Sequence, residues 1–314
     1  RSMKLDLRVI LVIIVATIIF YSIMIFVADV PKIEEQLKNF KIEYLPLVLG
    51  LVASGWGLIF LRWHLLVKNL GFKVPIRSQL SIFFSSQTFG MTPGRVGDLF
   101  KSQMLKSRHE IPRTKTAPLV IIERYYDLIG AVIASSVGIM YFEPALYIMG
   151  VISIFVMIGF IIASSKRIFQ KFLMKISKIK FAKKIADPLS DSFEVLHTST
   201  RGRIAIFSII LSTAHWVLVS VAVYCILLAY DINSISILEI IPIYLSSVVL
   251  GAVSMIPGGL GVAEASLAGF LNLYVDDISV TFPLSIIIRI LTLWSSVIVG
   301  FIFLRSVKDV FFQK

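Results

Sequence analysis

Two short segments of the sequence resemble each other: TPGRVGD at residues 92–98 and IPGGLGVAE at residues 256–264. Both place a Pro-Gly pair and a further glycine inside a long apolar stretch, where proline and glycine interrupt helices. Inside a membrane, such irregular backbone is tolerated only in contact with protein or around a water-filled cavity. We therefore predict that each segment forms the tip of a helical hairpin. The predicted tip residues are Pro93, Gly94 and Gly97 in the first hairpin and Pro257, Gly258, Gly259 and Gly261 in the second.

An arginine follows each tip at nearly the same distance. Pro93 and Arg124 are 31 residues apart, and Pro257 and Arg289 are 32 residues apart. Chance similarity of two Pro-Gly turns is the alternative, and the matched spacing to an arginine favours an internal repeat. The sequence therefore predicts two halves, residues 1–142 and 143–314.

The sequence around the tips is that of an all-α integral membrane protein. Of the 314 residues, 57% are hydrophobic and 16% are charged, whereas soluble domains carry about 25% charged residues. Runs of about 20 apolar residues are long enough to cross a hydrocarbon core of about 30 Å. We predict six spanning helices, at residues 8–28, 44–66, 117–140, 144–164, 204–229 and 281–304. The expected location is the plasma or inner membrane of the cell.

The two remaining apolar segments, 79–105 and 237–274, are predicted to be re-entrant hairpins, and the charges test this prediction. With the N-terminus inside, the cytoplasmic segments hold 25 of the 31 Lys and Arg residues, while the external segments hold three lysines and nine acidic residues. This is a strong positive-inside asymmetry. It would be lost if only one arm of either hairpin crossed the membrane. It would survive if both arms of a hairpin crossed, so that alternative stays open. Both termini are predicted to be cytoplasmic.

The predicted halves are inverted relative to each other, because the first hairpin enters from the cytoplasm and the second from the exterior. Inverted repeats with broken helices are typical of secondary transporters, in which the breaks meet near the bilayer midplane and form the substrate site. Helix N-termini just after the tips, near Val96 and Val262, would present N–H groups to an anion.

Several charged residues lie within the predicted membrane segments, where charge is costly unless it faces a cavity or another charge. These candidate substrate-binding residues are Arg95, Asp98, Glu123, Arg124, Asp127, Glu264 and Arg289. In the functional interpretation the arginines bind a phosphate, because the planar guanidinium donates two hydrogen bonds at once. The carboxylates would orient the arginines or titrate, with Glu123, Asp127 and Glu264 as candidates for proton coupling. In the alternative, all are structural ion pairs that hold each hairpin to the last helix of its half.

The loop at residues 165–203 has ten basic and three acidic residues, a net charge of +7. Apolar residues recur in it at helical spacing, opposite a row of basic ones. The apolar set is Ile168, Phe169, Phe172, Leu173, Ile176 and Ile179, and the basic set is Arg167, Lys171, Lys175 and Lys178. This pattern favours an amphipathic helix on an anionic membrane surface. A solvated basic linker is the alternative.

Other classes of function find little support in the sequence. The single cysteine, Cys225, and four scattered histidines form no cluster with metal-ligand spacing, so we expect neither a metal nor a cofactor. The net charge of +12 is explained by the topology, so we expect no nucleic-acid partner.

The segment TPGRVGDLFKSQMLK followed by ERYYD, within residues 92–127, resembles the flippase-like family, as does PGGLGVAEASLAGFL at residues 257–271. That family includes the membrane region of the bacterial lysylphosphatidylglycerol synthases. The resemblance implies movement of an aminoacylated lipid between leaflets, while a separate soluble domain attaches the amino acid. This chain ends at Lys314, just after its last span, so we expect a transporter rather than a lysyl-transferring enzyme. Archaeal relatives add polyprenyl-phosphate-linked sugars to the implied substrates.

The prediction is translocation of a lipid with an anionic or phosphate-bearing headgroup, whose phosphate meets Arg124 and Arg289. The implied substrates are a phospholipid, an aminoacyl-phospholipid or a polyprenyl-phosphate-linked sugar, and a lipid-modifying enzyme is the implied partner. Two alternatives stay open. One is a membrane enzyme acting on a lipid-linked substrate with Asp98, Glu123 or Asp127 as general base. The other is a secondary transporter of a small solute.

Overall fold

The computed structural model describes residues 39–92, 97–177 and 192–307. Within these ranges the regular elements are helices, and no strand is present. Four helices are long and apolar enough to cross a membrane, namely Ile42–Asn69, Glu143–Ala163, Gly202–Ala229 and Ile278–Val307. They coincide with four of the six predicted spans, which confirms the prediction of an all-helical membrane protein in its general form.

The other two predicted spans are not among these four helices. Residues 8–28 lie outside the described part of the chain. The predicted span 117–140 is a helix at Pro118–Ser136, which carries three charged residues within its 19 positions. Such a helix is stable in a membrane only if protein surrounds its charges, and the site described below supplies the partners.

The helices are α1 Leu45–Asn69, α2 Ile76–Gln87, α3 Leu99–His109, α4 Arg113–Thr116, α5 Pro118–Ser136, α6 Glu143–Ser164, α7 Lys166–Ser177, α8 Phe193–Ser199, α9 Gly202–Ala229, α10 Ile237–Val253, α11 Val262–Val275, α12 Ile278–Arg289 and α13 Ser295–Leu304. Short 3-10 turns lie at Ile42–Tyr44, Ile139–Tyr141, Pro257–Gly259 and Arg305–Val307. A π-helical segment, Ile290–Trp294, joins α12 and α13 into one continuous helix.

Helices α2 and α3 pack against each other, as do α10 and α11, so each pair forms a hairpin. We call residues 88–98 the first tip and residues 254–261 the second tip. The four arms have 12, 11, 17 and 14 residues. At a rise of 1.5 Å per residue, each arm is shorter than a hydrocarbon core of about 30 Å.

Helix α9 packs along both α1 and α5 and brings the two predicted halves together. The approach to α5 is close, because a Cβ atom on Gly130 would lie 2.7 Å from the carbonyl carbon of Ser212. Small residues permit such backbone contact between membrane helices.

Each hairpin also packs against a helix of the other predicted half. The hydroxyl of Ser85 in α2 donates to the carbonyl of Phe303 in α13 over 2.9 Å. Helix α10 contacts α5, and Gly138, just after α5, lies so close to Leu238 that a Cβ atom would overlap its carbonyl oxygen. Each hairpin is therefore covered by protein on at least one side.

Helix α7 lies within the predicted amphipathic segment, but its apolar face is divided. Phe169 and Leu173 are buried in the protein core, whereas Ile168 and Phe172 are exposed. The prediction of a single apolar face turned toward the membrane is therefore wrong in this respect, because one side of that face packs on the protein. The side chain of Ile176 and residues 178–191 lie outside the described part.

Candidate functional site

The arginine of the second half is held firmly. Arg289 ends α12, and its Nε atom lies 3.2 Å from Oε1 of Glu264. Its terminal nitrogen donates to the carbonyl oxygen of Gly258 in the second tip. Both charged side chains are buried, so this ion pair joins the last long helix to the second hairpin.

Glu264 also caps the start of α11. Its Oε2 atom accepts a hydrogen bond from the backbone N–H of Gly261 over 2.8 Å. The N–H of the N-cap residue Gly261 is therefore already bound by a carboxylate of the chain, while the prediction that the N–H groups near Val262 face an anion stays a prediction. The corresponding Val96 lies outside the described residues.

The arginine of the first half is held less firmly. In α5, Arg124 lies 3.0 Å from Oδ2 of Asp127 and 3.4 Å from Oδ2 of Asp98. Its side chain is 30% exposed, against 7% for Arg289. Its Nε atom has no hydrogen-bond partner in the part of the chain that the structure describes. Arg124 is therefore the more accessible of the two arginines, and its buried Nε donor is left unsatisfied by the described residues.

Two basic residues of this cluster, Arg62 and Lys101, were not among the site residues predicted from the sequence. Arg62 in α1 binds Oδ1 of Asp127 and the hydroxyl of Ser212, each over 2.6 Å. Lys101 in α3 binds Glu123 over 2.7 Å. Both are almost fully buried. One signal was available, because Arg62 lies within the predicted span 44–66 and Lys101 within the predicted hairpin 79–105.

With these two residues, the described charges of the cluster balance. The cations are Arg62, Lys101, Arg124 and Arg289, and the carboxylates are Asp98, Glu123, Asp127 and Glu264. Balanced pairing offsets part of the desolvation cost of buried charge. An anion that enters must therefore compete with a carboxylate of the chain for its arginine.

A cavity of about 340 Å³ lies between the two hairpin tips. Both Arg124 and Arg289 line it, together with Asp127. The tips contact each other, because a Cβ atom on Gly258 would lie 2.9 Å from the side chain of Met91. The described remainder of its polar wall comprises Gln87, Thr92, His215, Trp216, Tyr244, Thr292 and Ser296.

The rest of the cavity wall is mostly apolar. Val248, Val253 and Ile256 line it from α10 and the second tip. Val253 and Ile256 are 61% and 41% exposed, so this apolar wall continues onto the surface of the protein. The cavity thus offers charged groups at one part of its wall and an apolar margin at another.

Some cavity residues received little weight in the sequence. Trp56, His215 and Trp216 were not among the candidate residues predicted from the sequence. All three line the cavity, and the indole N–H of Trp216 donates to the backbone carbonyl of Asp127 over 2.8 Å. These residues are recognised as cavity-lining only from how α9 packs against α1 and α5, and the sequence of a single helix does not show that packing.

The predicted site residues fall into three groups. Arg124, Asp127, Arg289, Gly258 and Gly259 line the cavity. Asp98, Glu123 and Glu264 are buried partners of its cations. Arg95, Pro93 and Gly94 lie outside the described residues. Within the described ranges, no group of three or more His, Cys, Asp or Glu side chains comes together as a metal site would require.

Gly97 and Gly261 have roles in the tips that alanine could not take over. A Cβ atom on Gly97 would lie 2.4 Å from that of Phe89, and Gly261 has a φ angle of +81°, which glycine adopts most readily. Pro257 begins the 3-10 turn of the second tip.

The sequence is similar to known membrane proteins. The profile of the lysylphosphatidylglycerol synthase transmembrane region matches residues 9–300. A UPF0104 membrane protein of Methanocaldococcus jannaschii is 28% identical over 226 residues, which cover 69% of this chain and 93% of the relative. The profile match over residues 9–300 includes both hairpins and both arginines. The chain therefore belongs to the family of the lysylphosphatidylglycerol synthase transmembrane region.

Proposed function

We propose that this protein moves a lipid with a phosphate-bearing, anionic or zwitterionic headgroup between the leaflets of the cell membrane. The single observation that carries the proposal is the cavity at the meeting point of the two tips, which combines Arg124 with an apolar wall open to the surface. An arginine matches a phosphate, and an apolar exit matches a hydrocarbon chain. A water-soluble solute would need only the first of these.

The proposed architecture is six spans with two re-entrant hairpins, arranged as an inverted repeat with both termini in the cytoplasm. Three features support it: the short hairpin arms, the packing of each hairpin on the opposite half, and equivalent ion pairs in the two halves. Asp98 pairs with Arg124 across 26 residues, and Glu264 pairs with Arg289 across 25 residues. The distribution of positive charge sets the orientation.

In the proposed mechanism, the headgroup phosphate binds Arg124 and displaces Asp98. Of the two carboxylates on this arginine, Asp98 is the more distant, while Asp127 is also held by Arg62. The phosphate therefore competes most easily for the donors that face Asp98. Hydrocarbon chains remain beside Val253 and Ile256 while the headgroup crosses.

Movement of one half against the other would then expose the cavity to each leaflet in turn. Passive movement and ion coupling are both compatible with this scheme. Of the three predicted proton-coupling candidates, Asp127 alone lines the cavity, since Glu123 and Glu264 lie behind it as partners of Lys101 and Arg289. In this proposal the protein is a transporter and not an enzyme, and a lipid-modifying enzyme supplies or consumes its substrate.

Reconstitution into liposomes tests the proposal. Fluorescent phosphatidylglycerol, phosphatidylethanolamine and a polyprenyl-phosphate sugar are placed in both leaflets, and a reductant that cannot cross the membrane bleaches the outer leaflet. Wild-type protein should make the inner-leaflet pool of at least one of these lipids accessible. Arg124→Ala should lower the rate at least about tenfold, which corresponds to a loss of about 1.4 kcal/mol.

The matched control is Lys115→Ala, which also removes one positive charge, but from an exposed ion pair with Glu194. It should leave the rate within about twofold, because exposed pairs contribute little. Absence of exchange for every lipid with well-folded protein would refute the proposal. Product formed from the lipid would indicate the enzyme instead, and uptake of a soluble solute would indicate a solute transporter.

A further inference from the structure

Helix α7 carries positive charge without any negative charge. Between Glu143 and Asp187 the sequence contains no Asp or Glu. The helix itself contributes Lys166, Arg167, Lys171 and Lys175, and all four are exposed. No carboxylate on the same helix can therefore neutralise them, which distinguishes α7 from an ordinary solvated helix with mixed charges.

The exposed surface of α7 also carries apolar side chains. Ile168, Phe172 and Met174 are 41%, 39% and 59% exposed. Ile168 and Phe172 lie one turn apart, and Lys171 and Lys175 form the neighbouring row on the same face. Exposing these apolar side chains to water is unfavourable. A helix face with apolar side chains beside lysines is stable at the boundary between lipid headgroups and hydrocarbon chains.

The orientation of α7 is set by contacts with the protein. Phe169 and Leu173 are buried in the core, and the ring of Phe169 lies 5.2 Å from that of Phe193 in α8. The apolar and basic side chains on the opposite side are thereby turned outward. Helix α7 also begins three residues after the candidate span Glu143–Ala163 ends, which puts it at the level of the headgroups.

We propose that the outward face of α7 is a binding surface for anionic phospholipids of the surrounding bilayer. Lys171 and Lys175 would contact the phosphates, and Ile168 and Phe172 would enter the outer part of the hydrocarbon region. Charge complementarity selects this occupant, because a zwitterionic bilayer offers no net attraction to a helix with four cations. The surface is separate from the cavity, and the proposal holds whether or not the cavity carries a lipid.

Site-specific quenching tests this surface in nanodiscs that contain the full chain. A fluorophore is attached at Met174→Cys in a Cys225→Ser background, since Cys225 is the protein's single cysteine. Phosphatidylglycerol or phosphatidylcholine with brominated chains is then added at the same mole fraction. Brominated phosphatidylglycerol should quench the fluorophore at least about twofold more strongly than brominated phosphatidylcholine.

Three variants show where this preference resides. Lys171→Gln combined with Lys175→Gln should abolish it. Arg124→Ala should retain it, so that lipid bound in the cavity is distinguished from lipid on α7. The control Lys68→Gln combined with Lys73→Gln removes two exposed positive charges elsewhere and should also retain it. Equal quenching by both lipids, no quenching by either, or a preference that survives in the Lys171 and Lys175 variant would overturn the proposal.

Discussion

The two arginines occupy equivalent places in the sequence, yet their surroundings differ. Arg289 is buried, bound to Glu264, and bonded to the backbone of the second tip. Arg124 is partly exposed, shared between two carboxylates, and keeps a nitrogen without a partner in the described chain. Under the proposed function, the structural interpretation of the buried charges therefore applies best to Arg289 and the functional interpretation to Arg124.

The largest expected effect concerns the firmly held pair. Arg289→Ala leaves the buried Glu264 carboxylate without its cation and removes a bond to the second tip, so the free energy of unfolding should fall by about 3–5 kcal/mol. Thermal unfolding in detergent measures this. Arg124→Ala also removes a cation from the buried Asp98, but it should cost less, because Arg124 is the more exposed arginine and Asp127 keeps Arg62 as a partner. Equal destabilisation by the two variants would remove the distinction between the arginines.

The second tip provides the next test. Gly259 has a φ angle of +67°, and a Cβ atom there would lie 2.9 Å from the Cα atom of Gly251. Gly259→Ala should therefore lower the free energy of unfolding by about 1–3 kcal/mol through overpacking and backbone strain. Gly269→Ala in α11 is the control, because a Cβ atom there meets nothing within 4 Å. An unchanged free energy of unfolding in Gly259→Ala would contradict the close packing of Gly259 on Gly251.

A smaller effect is expected from the first pair. Asp98→Asn removes the charge that competes with an incoming phosphate for Arg124, so a short-chain phosphatidylglycerol should bind roughly fivefold more tightly, which is about 1 kcal/mol. The fluorescence of Trp56 and Trp216, which line the cavity, reports this binding in detergent. Unchanged or weaker binding would show that Asp98 does not compete with the phosphate.

The smallest effect concerns the pH dependence of stability at the end of the first hairpin that lies away from its tip. In the first hairpin, the hydroxyl of Ser78 in α2 lies 2.7 Å from Nε2 of His109 in α3. Partial desolvation and the neighbouring Arg108 lower the pKa of His109 below its ordinary value of 6.5. The folded state then binds fewer protons than the unfolded one, so stability is unaffected above pH 6.5 and falls as pH drops below it.

The loss should be the smallest of these effects, because the imidazole of His109 is only partly desolvated. Melting curves at pH 7.5 and 5.5 for wild type and His109→Gln measure it as the part of the pH dependence that the variant lacks. An identical pH dependence in both proteins would exclude His109 as its source.

Much of the general architecture follows from local properties of the sequence. The apolar runs, the broken hairpins and the basic segment at 165–203 depend on neighbouring residues alone, because crossing a bilayer requires length and apolarity within one helix. The cluster of buried charges was also predicted, since each charge within an apolar run is unusual by itself. Arg62 and Lys101 were missed because each lies near the end of an apolar segment, where a basic residue normally marks the cytoplasmic boundary.

Only the tertiary structure decided which charges meet. Arg62 binds Asp127 across 65 residues of sequence, and Trp216 binds the backbone of the same residue from α9. The two repeats also predicted equivalent roles for Arg124 and Arg289, and only packing separates them. The physical reason is that the sequence states the presence of a buried charge, while its partner, its exposure and its remaining hydrogen-bond donors depend on how distant helices pack.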